Sequence, residues 1–175
     1  ITGDAVRQAF LESRDQWLQL RQLTNSNQPI QSVEQLQSDL HKANEKLKEF
    51  ERNHNRQLAE VLRGKIVTHG AFSVLIEKTE LDSSAVKDFA FALKNQHPNL
   101  FMVLAGEQDG KAILSIAAGD EAVNQGHHAG NLVREWSKLI RGGGGGQAFF
   151  ATAGGGYPQG IKEVLEKAKA YIGLI

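Results

Sequence analysis

From Ile30 to Arg63 the chain contains neither glycine nor proline. A stretch this long without a helix breaker predicts a single α-helix of about 50 Å at the usual rise per residue. Within it Leu36, Leu40, Ala43, Leu47, Phe50, His54, Gln57 and Val61 recur at alternating steps of four and three, a heptad seam with a polar defect at His54 and Gln57. His54 is read as a register or surface feature of this stripe rather than a metal ligand. Asp4 to Thr24 is also free of breakers, with Val6, Phe10, Trp17 and Leu20 at helical spacing and Asp4 placed to accept from first-turn amides. Thr24-Asn25-Ser26-Asn27-Gln28-Pro29 supplies the turn between them. An apolar seam does not stay in water, so the two helices are expected to fold back as an antiparallel, coiled-coil-like hairpin. Such a hairpin is a structural arm or spacer. It is alternatively a dimerisation device, because the second helix outlasts the first and leaves part of its seam uncovered.

The grammar changes at Gly64. Ala71 to Ile76 is a short β-branched and apolar run, hence a strand. Asp82 or Ser83 caps a helix that presents Val86, Phe89, Ala90 and Leu93 on one face and stops before Pro98. Leu100 to Ala105 suits a buried strand, Asp109-Gly110 signals a hairpin, and Lys111 to Ala118 follows as its partner. Leu132, Val133, Trp136, Leu139 and Ile140 mark an amphipathic helix; Gln147 to Ala153 reads as a strand, and Pro158 to Ile172 as a last helix. The expected fold is of the α+β or α/β class. Residues 1–63 form the helical hairpin, and residues 64–175 form a small α/β globular domain with a mixed sheet, large enough to bury its own core.

Composition removes several function classes. Lys plus Arg is 20 and Asp plus Glu is 20, and the two signs balance within each half as well. A charge-driven nucleic-acid or membrane binder carries a basic excess; a neutral chain leaves room only for a local basic stripe. With no cysteine, disulfides, thiolate metal clusters and cysteine nucleophiles are excluded. No apolar run reaches the length of a membrane span and no signal peptide is visible, so a cytoplasmic location without membrane attachment is expected. The chain starts at Ile1 and its one methionine is Met102, which suggests a piece of a longer or processed protein.

Catalytic signatures are missing too. There is no H-E-x-x-H, and Gln147-Ala148 stands where a Walker loop needs Lys-Ser/Thr. The pentaglycine runs from helix into strand, opposite in order to the dinucleotide fingerprint. What stands out is Gly142, Gly143, Gly144, Gly145 and Gly146, preceded by Arg134, Lys138 and Arg141 at i, i+4 and i+7. Consecutive glycines let a backbone approach a ligand and turn successive amides toward an anion. A cationic helix face leading into a flexible, amide-rich loop is what a phosphate backbone would need; the alternative is a linker after a solvated helix face. Gly154-Gly155-Gly156 serves as a strand-to-helix turn or a ligand contact. His127-His128 opens a helix nearby, in a capping or local hydrogen-bonding role or as a phosphate or 2′-hydroxyl contact. Strand alternation sends at least one of Phe149 and Phe150 into the core, which makes Tyr157 the better exposed aromatic platform.

The run His128-Ala129-Gly130-Asn131-Leu132-Val133-Arg134, the pentaglycine and Ala151-Thr152-Ala153-Gly154-Gly155 together resemble the nucleic-acid-binding domain at the C-terminus of alanyl-tRNA synthetases. That domain is itself similar to the accessory domain of DHH-type phosphoesterases. Ile1-Thr2-Gly3 look like the tail of an editing domain, so the resemblance covers essentially the whole chain. It implies a tRNA-binding appendage, with an alanine-specific tRNA as partner and contact at the outer corner where the D and T loops meet. It implies support for aminoacylation and editing by the rest of the enzyme, and a helical stretch able to mediate a homodimer. No catalytic residue, metal or cofactor is expected in this fragment; ATP, Mg and Zn would belong to the missing parent domains. Gly130, Gly142 to Gly146, Gly154 and Gly155 occupy motif positions. Gln147 stands where many members carry a basic residue, which shifts the expected weight onto backbone amides and Arg134, Lys138 and Arg141. The metal-binding Asp/His motifs of the phosphoesterases are missing, and no nuclease activity is expected.

Overall fold

The computed structural model describes residues 3–174; Ile1 and Thr2, and with them most of the tripeptide likened to an editing-domain tail, lie outside the described residues. The chain divides into two compact units, Ile1–Arg52 and Asn53–Ile175.

In the first unit helix α1 spans Gly3–Thr24, and helix α2, Pro29–Arg63, begins. Asn25 ends α1 in the left-handed conformation, φ 46°. The Ser26 amide returns to the Arg21 carbonyl at 3.2 Å and the Asn25 amide to the Gln22 carbonyl at 3.3 Å, which satisfies carbonyls the helix would leave open. Thr24 Oγ1 donates to the Leu20 carbonyl (2.7 Å), and Ser26 Oγ accepts from the Gln28 amide (3.0 Å). Both long helices are as expected, but the seam of α2 is not closed. Leu20, Pro29, Ile30 and Val33 line a shallow apolar cleft beside the turn. Beyond it α1 buries none of its residues, and Leu36, Leu40 and Leu47 are 62%, 63% and 55% exposed. A heptad pattern states that a face is apolar; it does not state what covers it.

The second unit begins within α2. Leu58, Ala59 and Leu62 pack into its core, and Asn55 Nδ2 donates to Asp82 Oδ2 at 2.8 Å. The boundary expected at Gly64 is where the helix stops, and the compact unit that holds the sheet takes in the last turns of that helix from Asn53. A six-stranded mixed sheet follows, in the order β1-β2-β3-β4-β6-β5. Its strands are β1 (Val67–His69), β2 (Phe72–Lys78), β3 (Leu100–Gln108), β4 (Lys111–Ala118), β5 (Gly142–Gly146) and β6 (Phe150–Gly155). Only β2 and β3 pair parallel, joined by helix α3 (Ser83–Gln96); the other neighbours are antiparallel. Asp82 is the cap: its carboxylate accepts from the Ala85 amide at 2.8 Å. At Asp109-Gly110 both φ angles are positive, 51° and 72°, as a tight hairpin between β3 and β4 requires.

Helices cover both faces of the sheet. Val74, Phe101, Val103, Leu114 and Ile116 face α5 (Ala129–Trp136) and α6 (Ile161–Ile172), through Val133, Trp136 and Val164. Leu75, Leu100, Met102 and Leu104 face α3, through Val86, Phe89 and Leu93, and the end of α2. On this second face the cover is incomplete. Residues opposed across paired strands share a face, so Ile113, Ser115, Thr152, Gly154, Gly145 and Gly143 lie on the α3 side. Gly143, Gly154 and the half-buried Ile113, Thr152 and Gly145 form an open floor beside α3.

Candidate nucleic-acid interface

The pentaglycine is not a loop. Gly142 to Gly146 form β5, the edge strand, paired with β6 so that Gly142, Gly143, Gly144, Gly145 and Gly146 oppose Gly155, Gly154, Ala153, Thr152 and Ala151. The expected amide-lined concavity is therefore replaced by a ladder. Glycine carries no side-chain periodicity, so nothing in the sequence distinguishes the two.

The glycines separate into two sets by what a Cβ would meet. At Gly142, Gly144 and Gly146 it would strike β6 backbone, 2.1 Å from the Gly154 oxygen, 2.2 Å from the Thr152 oxygen and 2.4 Å from the Phe150 oxygen. At Gly155 it would lie 2.1 Å from the Ile140 oxygen, and at Gly130 2.7 Å from the Gly146 oxygen. These five are glycine because neighbouring backbone leaves no room. At Gly143, Gly154 and Gly156 nothing lies within 4 Å, and at Gly145 only Arg134 Nε is met, at 4.0 Å. Gly143 and Gly154 oppose each other across the ladder, so the open set makes a patch of bare backbone on two adjacent strands. Glycine weakens a strand, and in a strand interior it often marks a bulge, a tight bend or the close approach of a ligand or another backbone.

The three cations lie on the segment that leads into this strand, though not on a single helix face. Helix α5 ends at Trp136 and the chain tightens into a 3₁₀ turn, Ser137–Ile140, before Arg141 takes a left-handed conformation, φ 50°. Three residues per turn replaces 3.6, so the expected i, i+4, i+7 stripe is broken after Arg134. Arg134 reaches Gly145, Lys138 is exposed on the 3₁₀ turn, and Arg141 lies over the Tyr157 ring at 4.6 Å. Tyr157 is therefore a half-buried ring already covered on one face by a guanidinium, not a bare platform. Among the described residues none of the three cations is paired with a carboxylate, whereas neighbouring Glu135 is taken by Lys167 at 2.7 Å.

The two histidines part company: His127 makes a local hydrogen bond, one of the roles expected of the pair, whereas His128 does not cap the helix with its side chain. His128 precedes α5 without a capping hydrogen bond from its side chain, and its Nδ1 is buried without a partner. The first amides of α5 are satisfied by the hairpin between β5 and β6: Ala129 donates to the Ala148 carbonyl at 2.8 Å and Gly130 to that of Gln147 at 3.1 Å. That leaves them unavailable to an anion. His127 joins an aromatic cluster, with Nδ1 3.0 Å from Tyr171 Oη and edge-on to Phe72 at 4.8 Å. Burial holds the His127 pKa below the usual imidazole value, and burial followed by the charge of Glu135 raises that of Tyr171. Phe149 and Phe150 both turn toward Phe91 of α3, with ring centroids at 5.6 and 6.0 Å, and Lys94 Nζ sits 4.8 Å from the Phe149 ring. Sequence reasoning passed over Thr152 and Ser115. Their signal was available: polar residues at alternating positions of otherwise apolar or small-residue strands.

Among the described residues no group of His, Asp or Glu is arranged to hold a metal ion, and no helix is long and apolar enough to cross a membrane.

Comparison with known proteins agrees with this architecture. Across 98% of the chain, 36% of residues are identical to alanine–tRNA ligase of Christiangramia forsetii, and the match spans 20% of that protein. The same enzyme of Flavobacterium psychrophilum is 30% identical, again over 98% of this chain and 20% of its own length. The chain thus spans about a fifth of the curated relatives it matches. Among solved structures, the C-Ala domain of Aquifex aeolicus alanyl-tRNA synthetase superposes with a TM-score of 0.56 at 24% identity, over 62% of this chain and 97% of that one, a likeness of fold. Residues 68–174 match the DHHA1 domain family, and the chain belongs to that family.

Proposed function

We propose that this chain is a tRNA-binding region of an alanine–tRNA ligase, holding the sugar–phosphate backbone of alanine tRNA at its outer corner while other parts of the enzyme aminoacylate and edit. One observation carries the reading: at Gly143 and Gly154 a side chain would meet nothing and at Gly145 only Arg134, while Arg134, Lys138 and Arg141, on the segment leading into the strand, are free of carboxylate partners among the described residues. A surface without side chains admits a backbone closely, and unpaired cations supply the charge. The neutral total suits one contact among several on a shared tRNA. ATP, Mg and Zn are assigned to the other parts of the ligase.

A band-shift titration against alanine tRNA at two salt concentrations tests this. Arg134→Glu with Gly143→Asp should weaken binding, and the salt slope should flatten by about 0.7 to 0.9 units for each phosphate that the variant no longer neutralises. No binding by the parent chain, or binding indifferent to the double variant, overturns it.

The open seam of α2 favours a second role, a homodimer through the helical arm. Leu36, Leu40 and Leu47 at heptad spacing and more than half exposed are what a second helix covers. Sedimentation velocity across a concentration series should show a dimer that Leu40→Glu with Leu47→Glu abolishes. A chain that stays monomeric at the highest concentration removes this role.

A further inference from the structure

A row of opposed residues crosses the incompletely covered sheet face: Leu104, Ser115, Thr152, Gly145. Ser115 is 1% exposed, and its Oγ has no hydrogen-bond partner. It lines a narrow cleft with Leu104, Gly106 and Ile113 on the α3 side. Its hydroxyl is sealed from solvent there, so it lies beneath the open face and the next hydroxyl in the row is the accessible one. Thr152, directly opposite, is half-buried, and no hydrogen bond engages its hydroxyl among the described residues. On its other side Thr152 opposes Gly145, where Arg134 Nε closes the row. The row thus passes from hydroxyl to hydroxyl to bare backbone to guanidinium. Its neighbour is the open pair Gly154 and Gly143.

Phosphate alone does not need this arrangement. A guanidinium neutralises a phosphate, but hydroxyls that both donate and accept suit a partner that also does both. In a nucleic-acid backbone the group with that property next to a phosphate is the ribose 2′-hydroxyl, which separates RNA from DNA. Resting on the nucleic-acid reading above, we infer that Thr152, set between Ser115 and the bare backbone of Gly145, reads the ribose 2′-hydroxyl, making this face selective for RNA over DNA. Arg134 takes the adjoining phosphate, the open glycines let the sugar edge lie against the strands, and Thr152, the more accessible hydroxyl, makes the hydrogen bond.

The experiment compares the affinity of this chain for an alanine-tRNA transcript and for the all-deoxy strand of the same sequence, at one salt concentration. The parent chain should favour RNA. Thr152→Val keeps the shape and removes the hydroxyl. It should weaken RNA binding by about 5-fold, the scale of one neutral hydrogen bond, and leave DNA binding unchanged. Thr152→Ser should restore the preference, and Arg134→Gln should weaken both ligands alike. Thermal melting of each variant separates a missing hydrogen bond from a damaged fold. Equal RNA and DNA affinity in the parent chain, or a Thr152→Val effect that is absent or the same on both strands, overturns the inference and leaves the phosphate reading standing. Failure of the parent chain to bind either strand overturns that reading, and this inference with it.

Discussion

Adjacent glycines of one strand should respond in opposite ways to the same change. Gly143→Asp places its Cβ in open space, so thermal melting should be unchanged while tRNA binding falls. Gly144→Asp drives its Cβ to within 2.2 Å of the Thr152 oxygen, so the melting temperature should drop. Asp82 offers a second test. Its bonds from the Ala85 amide, foremost, and from Asn55 hold its carboxyl below the usual value near 3.8. That stabilisation is complete above the unfolded-state value and is lost as pH falls through the lowered one. Asp82→Ala should remove about 1 kcal/mol at neutral pH, read by urea unfolding, and flatten the acid limb of the stability profile. For His127 the shift is also downward, through burial, from 6.5. Its neutral form belongs to the folded state, so stability is full above 6.5 and declines as pH falls toward the lowered folded value. Unfolding midpoints of His127→Asn should vary less between pH 7 and 5 than those of the parent chain.

Whole elements show what was legible in the sequence. Helix α3 was readable because three signals agree: Asp82 at the cap, four buried residues at helical spacing and a proline beyond its end. The hairpin between β3 and β4 was readable from Asp109-Gly110 for the same reason. Strand β1 and helix α4 (Asp120–Asn124) were not, being three and five residues long and too short to display a period. Strand β5 was hidden more deeply: five glycines present no alternation, and their pairing is dictated by β6. The cationic residues were found individually, but their supposed common face presumed an α-helix through Arg141, and the 3₁₀ turn removed it. The site was therefore visible as a neighbourhood, while its hydroxyl row needed the register between β4, β6 and β5.

At the scale of the molecule the division inside α2 has an experimental consequence. A chain beginning at Asn53 retains Leu58, Ala59, Leu62 and the bond from Asn55 to Asp82, whereas one beginning at Gly64 lacks them all. The shorter chain should melt lower, since removing a single buried leucine side chain already costs about 2 to 5 kcal/mol. Equal melting of the two would show that the end of α2 contributes nothing to the sheet domain. The same sheet ends at β5 with an edge that has no side chains to obstruct a neighbour. Most proteins block such an edge with charge, a bulge or a proline. Here the charge lies outside the strand, in Arg134, which reaches Gly145, and Arg141, which precedes Gly142, and like charge on two copies would oppose pairing of their edges. Neutralising both, or screening them with salt, should let edges zip together between molecules and raise light scattering, an outcome that concentration-dependent scattering of Arg134→Gln with Arg141→Gln would check.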